Sequence, residues 1–262
     1  DGAVVINESS ADVDFRVESD NLTHALFVQG SDGKISIGNS APAANLDITQ
    51  SGNNVGLLVS GGGYNYTAKF ESSDAEANII IEDSNSTNNG NMIGVATNDM
   101  YFVTNATERM RIDAIGAVTM PLQPAFLARP SGNSDNFPIN AATKALFQTE
   151  IFDQNADYSS STFTAPVTGK YYLSFGLYLN NVDITTAYIQ AELHTSNRVF
   201  KEITDSDVAF TADAQYHWMG FSIVTDMDAG DTSIIKVDVH NSGAAQMNME
   251  GSQSFFSGYL VA

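Results

Sequence analysis

The chain has 262 residues, 43% hydrophobic and only 16% charged, with a net charge of -20. The acidity runs through both halves: residues 1–120 carry 5 basic and 16 acidic side chains, and residues 121–262 carry 6 and 15, which argues against binding a nucleic-acid backbone or an anionic membrane. Without cysteine there is no disulfide, zinc ribbon or thiol nucleophile, and no apolar run has the length of a membrane span.

The chain begins at Asp1 and shows no signal peptide, which fits a fragment or a processed product. Its polar surface must come from Asn, Ser, Thr and Gly, which favour turns over helices. From residue 1 to 120 the apolar segments are short. Strands are predicted at DFRVES (14–19), ALFVQ (25–29), KISIG (34–38), NLDIT (45–49), VGLLVSGGG (55–63), TAKFES (67–72), NIIIED (78–83), MYFVT (100–104), RMRID (109–113) and AVTM (117–120), separated by turn sequences such as SDG and AIG. NIII does not alternate, so burial on both faces is expected there. ALFVQGSDGKISIG and RMRIDAIGAVTMP form an internal echo of strand, Gly turn and strand. Strands this thin do not make an independent globule. They become stable when several chains share one core, so residues 1–120 read as a fibre shaft, the alternative being an irregular monomeric β domain. GGG at 61–63 reads as a bend within it, since a phosphate loop needs a helix and a Lys.

A Pro-rich stretch, PLQPAFLARPS, opens the second domain, residues 121–262. Its strands are longer: KALFQTEIFD (144–153), GKYYLSFGLYLN (169–180), TAYIQAELHT (186–195), RVFKEI (198–203), YHWMGFSIVTDMD (216–228), TSIIKVDVHN (232–241) and SQSFFSGYLVA (252–262). Tyr171, Leu173, Phe175, Leu177 and Leu179 alternate at period two, one strand face in a core. Pro166 and Gly169 make the corner that leads into it from Phe163 and Ala165. The fold class is all-β, a β sandwich or jelly roll behind a β shaft, with no convincing helix.

PAFLA, FTAPVTGKYYLSF, AGD at 229–231 and the closing FFSGYLVA resemble the trimeric head of complement component one-q, a relative of the tumour necrosis factor jelly rolls. The likeness spans residues 122–262. It implies a homotrimer packed through its inner sheets, with Phe255, Phe256 and Tyr259 divided between core and trimer axis; Tyr171 and Trp218 join them as core or interface candidates. VVINESSADVDFRVESDNLTHALFVQGSDGKISIG and TERMRIDAIGAVTMP resemble shaft repeats of tailed-bacteriophage virion fibres, especially those of marine hosts. The chain departs from fibres that end in a self-cleaving chaperone by ending in the head. Together the two likenesses imply a trimeric, extracellular virion fibre with an adhesive tip.

Catalysis has little support, a depolymerising tailspike being the enzyme alternative. His24, His194, His217 and His240 lack a metal-motif neighbour, and no GxSxG elbow is present. His217, in AQYHWMGF, reads as a packed position. Asp226, Asp228 and Asp231 in TDMDAGD lack the full calcium-loop pattern and read as a solvated turn. No cofactor is expected; structural calcium within a trimer is compatible with the family and the acidity, with no ligand set assigned. Sequons begin at Asn7, Asn21, Asn65, Asn85 and Asn105, unused in a phage protein and sugar-bearing in a secreted one.

The resulting reading is a non-enzymatic homotrimeric fibre, tail- or capsid-attached, that meets a host glycan or outer-membrane receptor through weak sites multiplied by avidity. The family's topology puts NNVDIT (180–185), TDSDVAFTADA (204–214) and NSGAAQMNMEG (241–251) at the far end. Candidate contacts there are Asn180, Asn181, Asp183, Asp205, Asp207, Asp213, Asn241, Gln246, Asn248 and Glu250, with Met247 or Met249 as an apolar patch. Two alternatives stay open: a structural fibre or decoration protein whose head only registers the three chains, and a secreted complement-like lectin.

Overall fold

In a computed structural model, residues 12–50, 56–59 and 68–262 are described. The chain divides into two compact units, Asp1–Glu71 and Ser72–Ala262. Among the described residues both are all-β, apart from one helical turn in the second.

The first unit holds β1 (Phe15–Val17), β2 (Leu26–Val28), β3 (Ile35–Ile37) and β4 (Leu46–Ile48) in one sheet in that order. The register sorts its two faces. Arg16, Phe27, Ser36 and Asp47 lie in one row. The rows Phe15–Val28–Ile35–Leu46, Val17–Leu26 and Ile37–Ile48 form the other face, which is apolar throughout. Leu46 is 59% exposed on it and Ile37 44%. Residues 56–59 and 68–72 contain no strand, so TAKFES is not one over its described part, and GGG lies outside the described residues.

The second unit begins with an antiparallel meander: β5 (Glu76–Ile80), β6 (Met92–Ala96), β7 (Asp99–Thr104), β8 (Thr107–Ile112) and β9 (Val118–Thr119). The row Asn78–Gly94–Tyr101–Arg111–Thr119 runs along one face. Tyr101 is buried there, its hydroxyl donating to Asn78 Oδ1 (2.7 Å), with the Arg111 guanidinium over its ring. Arg111 in turn donates to Asp99 and Glu108. The opposite face carries two apolar rows, Ile79–Ile93–Phe102–Met110 and Ala77–Val95–Met100–Ile112–Val118. Ile93, Phe102, Met110 and Ile112 there are half-buried, and Ile79, Val95, Met100 and Val118 are exposed. The expectation that NIII is buried on both faces fails in the single chain: Ile79, Ile80 and Ile81 are 43%, 48% and 60% exposed. The internal echo is structural. The β2–β3 and β8–β9 turns both close on a glycine with positive φ, Gly33 (73°) and Gly116 (90°), and differ by one residue in length.

The meander is fastened to the sandwich that comes after it in the chain. Met120 O accepts from Gln123 N and from Gln154 Nε2, and Leu260 N donates to Pro124 O. The two sheets of the sandwich form from β10 (Ala125–Arg129), β11 (Thr143–Lys144), β12 (Thr149–Asp153), β13 (Tyr158–Ser159), β14 (Thr162–Thr164), β15 (Gly169–Val182), β16 (Tyr188–Thr195), β17 (Val199–Asp205), a single turn α1 (Ser206–Ala209), β18 (Ala214–Met219), β19 (Ser222–Met227), β20 (Thr232–His240), β21 (Asn248–Met249) and β22 (Phe255–Leu260). The inner sheet runs β12-β10-β22-β15, with β18, β19 and β21 also on β15. The outer sheet runs β13-β14-β20-β16-β17, with β11 on β20.

The Pro166 corner carries the chain from the outer sheet to the inner one. Beyond it, Tyr171, Leu173, Phe175, Leu177 and Leu179 all point into the core. Val167, at the corner, is 46% exposed. Within the core Phe126 stacks on Phe163 and meets Phe256 edge to face, and Tyr171 Oη donates to Val167 O. The predicted run YHWMGFSIVTDMD is two strands, broken at Gly220, whose N–H donates to Glu202.

Candidate functional site

β15 has fourteen residues, about 45 Å at the usual rise per residue, and spans the sandwich end to end. At one end Gly169 and Lys170 meet the chain terminus and the entry strand: Lys170 N donates to Ala262 O, and Tyr259 pairs with Ala125. At the other end, beyond Val182, the predicted loops come together.

Asp183 joins them. It is 9% exposed. Its Oδ1 accepts from Thr185 N (2.8 Å) and Thr185 Oγ1 (2.7 Å); its Oδ2 accepts from Ala244 N (2.9 Å) and Ser242 Oγ (3.2 Å). The Thr185 N–H and hydroxyl, outweighing burial, hold its carboxyl below the usual range. Gly243 N donates to Thr185 Oγ1, and Ile184 N to Asp213 Oδ1 (2.9 Å). The loops 183–187, 206–213 and 241–247 are thus cross-braced at one apex. A segment that sequence reasoning left out joins them: Asn136 N donates to Asn248 Oδ1 (2.8 Å), and Asn241 N to Asn140 Oδ1.

The candidate residues divide by environment. Asn181, Asp205, Asp207, Asp213 and Asn241 are exposed. Asp205 shares a hydrogen bond with Asp207, which raises its pKa through the neighbouring carboxyl. Asn180, Asn248 and Glu250 are half-buried and paired, Asn180 Nδ2 donating to Glu250 Oε1. Gln246 is half-buried. Met247 and Met249 are 3% and 0% exposed, so the apolar patch expected of them does not exist; both belong to the core.

The outward face of the inner sheet is a second surface. The register places Tyr172, Tyr259 and Val224 in one row and Phe255, Gly176 and Trp218 near one another above them. Tyr259 and Trp218 are 48% and 49% exposed. Tyr171 and Phe256 face inward at 0%. Higher on this face Tyr178 and Tyr216 stack at 5.3 Å beside Trp218 and Glu250, around a shallow cleft of about 400 Å³. No charged side chain interrupts the patch between Tyr172 and Trp218.

His194 Nε2 lies 2.6 Å from Glu192 Oε2, and His240 stacks on Tyr188. His217 is half-buried, and burial lowers its pKa; its Nε2 lies 3.0 Å from Thr204 Oγ1. Asp226 accepts from Arg198, and Asp231 from Asp228 N and Asn197 Nδ2, so the TDMDAGD turn is held by protein donors. Among the described residues no group of three acidic or histidine side chains is placed to hold a metal.

A family model described as the C1q domain matches residues 125–261. Among solved structures, the globular domain of the zebrafish complement 1qA protein is 16% identical, covering 53% of this chain and 98% of that one, with a TM-score of 0.39. Murine APRIL at pH 8.0 is 12% identical over 53% of this chain and 99% of its own, with a TM-score of 0.40.

Proposed function

The chain belongs to the C1q family through residues 125–261, and we propose that it is a homotrimeric bacteriophage virion fibre, tail- or capsid-attached and extracellular, whose C1q-type head is a non-enzymatic adhesive tip. The partner is a host surface glycan or outer-membrane receptor. The observation that carries this reading is the polarity of the head. The chain enters at the Ala125–Ala262 end, while the braced polar loops sit at the opposite end of β15. Loops at the end of the sandwich away from its entry strand are free to meet a partner.

Trimerisation is supported by the aromatic patch between Tyr172 and Trp218, uninterrupted by charge, since members of this family pack as trimers through the inner sheet. Three copies then present three equivalent apices. Weak contacts from Asn and Asp side chains to sugar hydroxyls add through effective concentration rather than individual strength. The exposed Asn181, Asp205 and Asp207 are the contacts to test. Replacing all three by Ala is expected to lower host adsorption at least tenfold while light scattering still gives 84 kDa, three times the 28.0 kDa subunit. Full adsorption by that variant overturns the apical site and favours a head that only registers the three chains.

A further inference from the structure

Along one side of the sandwich, beside its buried core, the edges of the two sheets stand apart. β17 ends the outer sheet and pairs only with β16; β19 lies at the edge of the inner sheet and pairs only with β15. Phe200 in β17 is opposite Leu193, and Ile223 in β19 is opposite Leu173. Both partners are fully buried, so Phe200 and Ile223 face inward as well, yet each is only half-buried. A cleft of about 540 Å³ lies over them. It is framed at both ends. Gly220 N donates to Glu202 Oε2 (2.6 Å) at one, and Arg198 pairs with Asp226 at the other. Four residues of extended chain separate Arg198 from Glu202, about 13 Å.

We infer that this slit binds a small anionic amphiphile, a single-chain carboxylate whose charge sits at the rim formed by Lys170 and Arg198 and whose chain lies on Phe200 and Ile223. The inference goes beyond the adhesive tip and does not depend on it. Three observations select the ligand class. First, the rim is cationic in a chain of net charge -20: Lys170 and Arg198 are two of the six basic residues in positions 121–262. Among the described residues Lys170 has no ion-pair partner. Asp226 engages Arg198 through Nη1, which leaves the other guanidinium donors for an incoming anion. The acidity of the rest of the molecule is screened beyond about 8 Å at physiological salt, so the rim sets the local field. Second, the lining holds one buried hydroxyl, Thr225, 5% exposed, whose only acceptor is Asp226 O at 3.4 Å, long for such a bond. A ligand carboxylate gives it a better one. Third, the size is that of a small-molecule site, about 300–1,000 Å³. A slit walled at both ends admits a single chain and excludes a bilayer or a folded partner.

Calorimetric titration of the full chain with sodium decanoate, kept below its micelle concentration, tests this. One decanoate per subunit is expected. Butyrate lacks the chain and decyltrimethylammonium lacks the negative charge, so each should bind at least tenfold more weakly. Lys170→Ala/Arg198→Ala removes two exposed cations and leaves the core intact; with urea unfolding unchanged, it should weaken decanoate at least tenfold. Asp226→Asn removes the one carboxylate of the lining and should tighten decanoate about threefold, a gain that misfolding does not produce. Decanoate binding that ignores both variants, or that decyltrimethylammonium matches, places the amphiphile on an apolar surface elsewhere and overturns the slit. Butyrate as tight as decanoate overturns the role of the Phe200–Ile223 floor and with it the amphiphile. Absence of any decanoate binding overturns the inference outright, and leaves the adhesive tip untouched, since host adsorption is measured separately.

Discussion

Removing the Asp183 carboxylate tests whether the apex is one braced unit. The carboxylate takes four hydrogen bonds, two of them from the backbone N–H groups of Thr185 and Ala244, which lie in different loops. Hydrogen bonds to a charged group contribute about 1.5–3 kcal/mol each, and stranding a buried N–H costs about 1–3 kcal/mol. The loops lie at one end of the sandwich, so water replaces part of what is lost, and Asp183→Ala is expected to cost about 2–4 kcal/mol. Asp183→Asn keeps one acceptor for Thr185 but turns an amide NH₂ toward the Ala244 N–H, and should cost about half as much. Urea unfolding at fixed protein concentration measures both. The pH dependence has a definite sign. The folded carboxyl titrates below its ordinary 3.8, so its contribution is complete above about pH 4 and is lost as pH falls through the folded value. Parent and Asp183→Ala therefore converge in acid. Two variants both within about 0.5 kcal/mol of the parent at pH 7 would refute the brace, since neither loop then depends on the carboxylate.

Two further outcomes rest on named contacts. Glu192, 3% exposed, is pushed up by burial but held below its usual range overall by Lys201 and His194; Glu192→Gln should cost about 1–3 kcal/mol at pH 7, discounted for the partly exposed Lys201. That difference should fade as pH drops below 4.5 through the folded value, and a pH-independent difference would show that packing, not charge, is at stake. A Cβ on Gly176 would collide with the Trp218 ring and come within 2.7 Å of Phe255 Cε1, so Gly176→Ala should displace the only tryptophan, shift its emission and weaken the trimer about tenfold. Unchanged emission and mass would mean that the indole does not rest on this glycine.

What the sequence made legible was one-sided burial. The Tyr171–Leu179 alternation is visible because β15 has one face in a core, and each of its inward side chains is at most 2% exposed. The strand at Met92–Ala96 went unpredicted: its five residues carry no polar alternation, and Gly94 marks a place opposite Tyr101 rather than a turn. TAKFES alternates as a strand does, yet pairs with nothing over its described part, because period two is necessary for a strand and a hydrogen-bonding neighbour is also needed. At the apex the loops were legible and their brace was not. Asp183 depends on Ser242 and Ala244, about sixty residues downstream, and no local pattern announces a bond of that span.

The exposed isoleucines of β5 show why chain-level burial and assembly-level burial are different questions. Ile79, Ile93 and Val95 lie on the face with two apolar rows, while Ile80, Met92 and Val103 put a third apolar row on the Tyr101 face, and a reader of the sequence expects such rows to be covered. In the single chain they are not. Leaving those rows in water forfeits roughly 25 cal/mol for every Å² of apolar area, so a face of some hundreds of Å² represents several kcal/mol withheld from the monomer. The sandwich bears no such penalty within its own core, where Phe126, Phe163 and Phe256 are at most 1% exposed. The sandwich therefore carries its own closed core, which the meander, taken by itself, lacks.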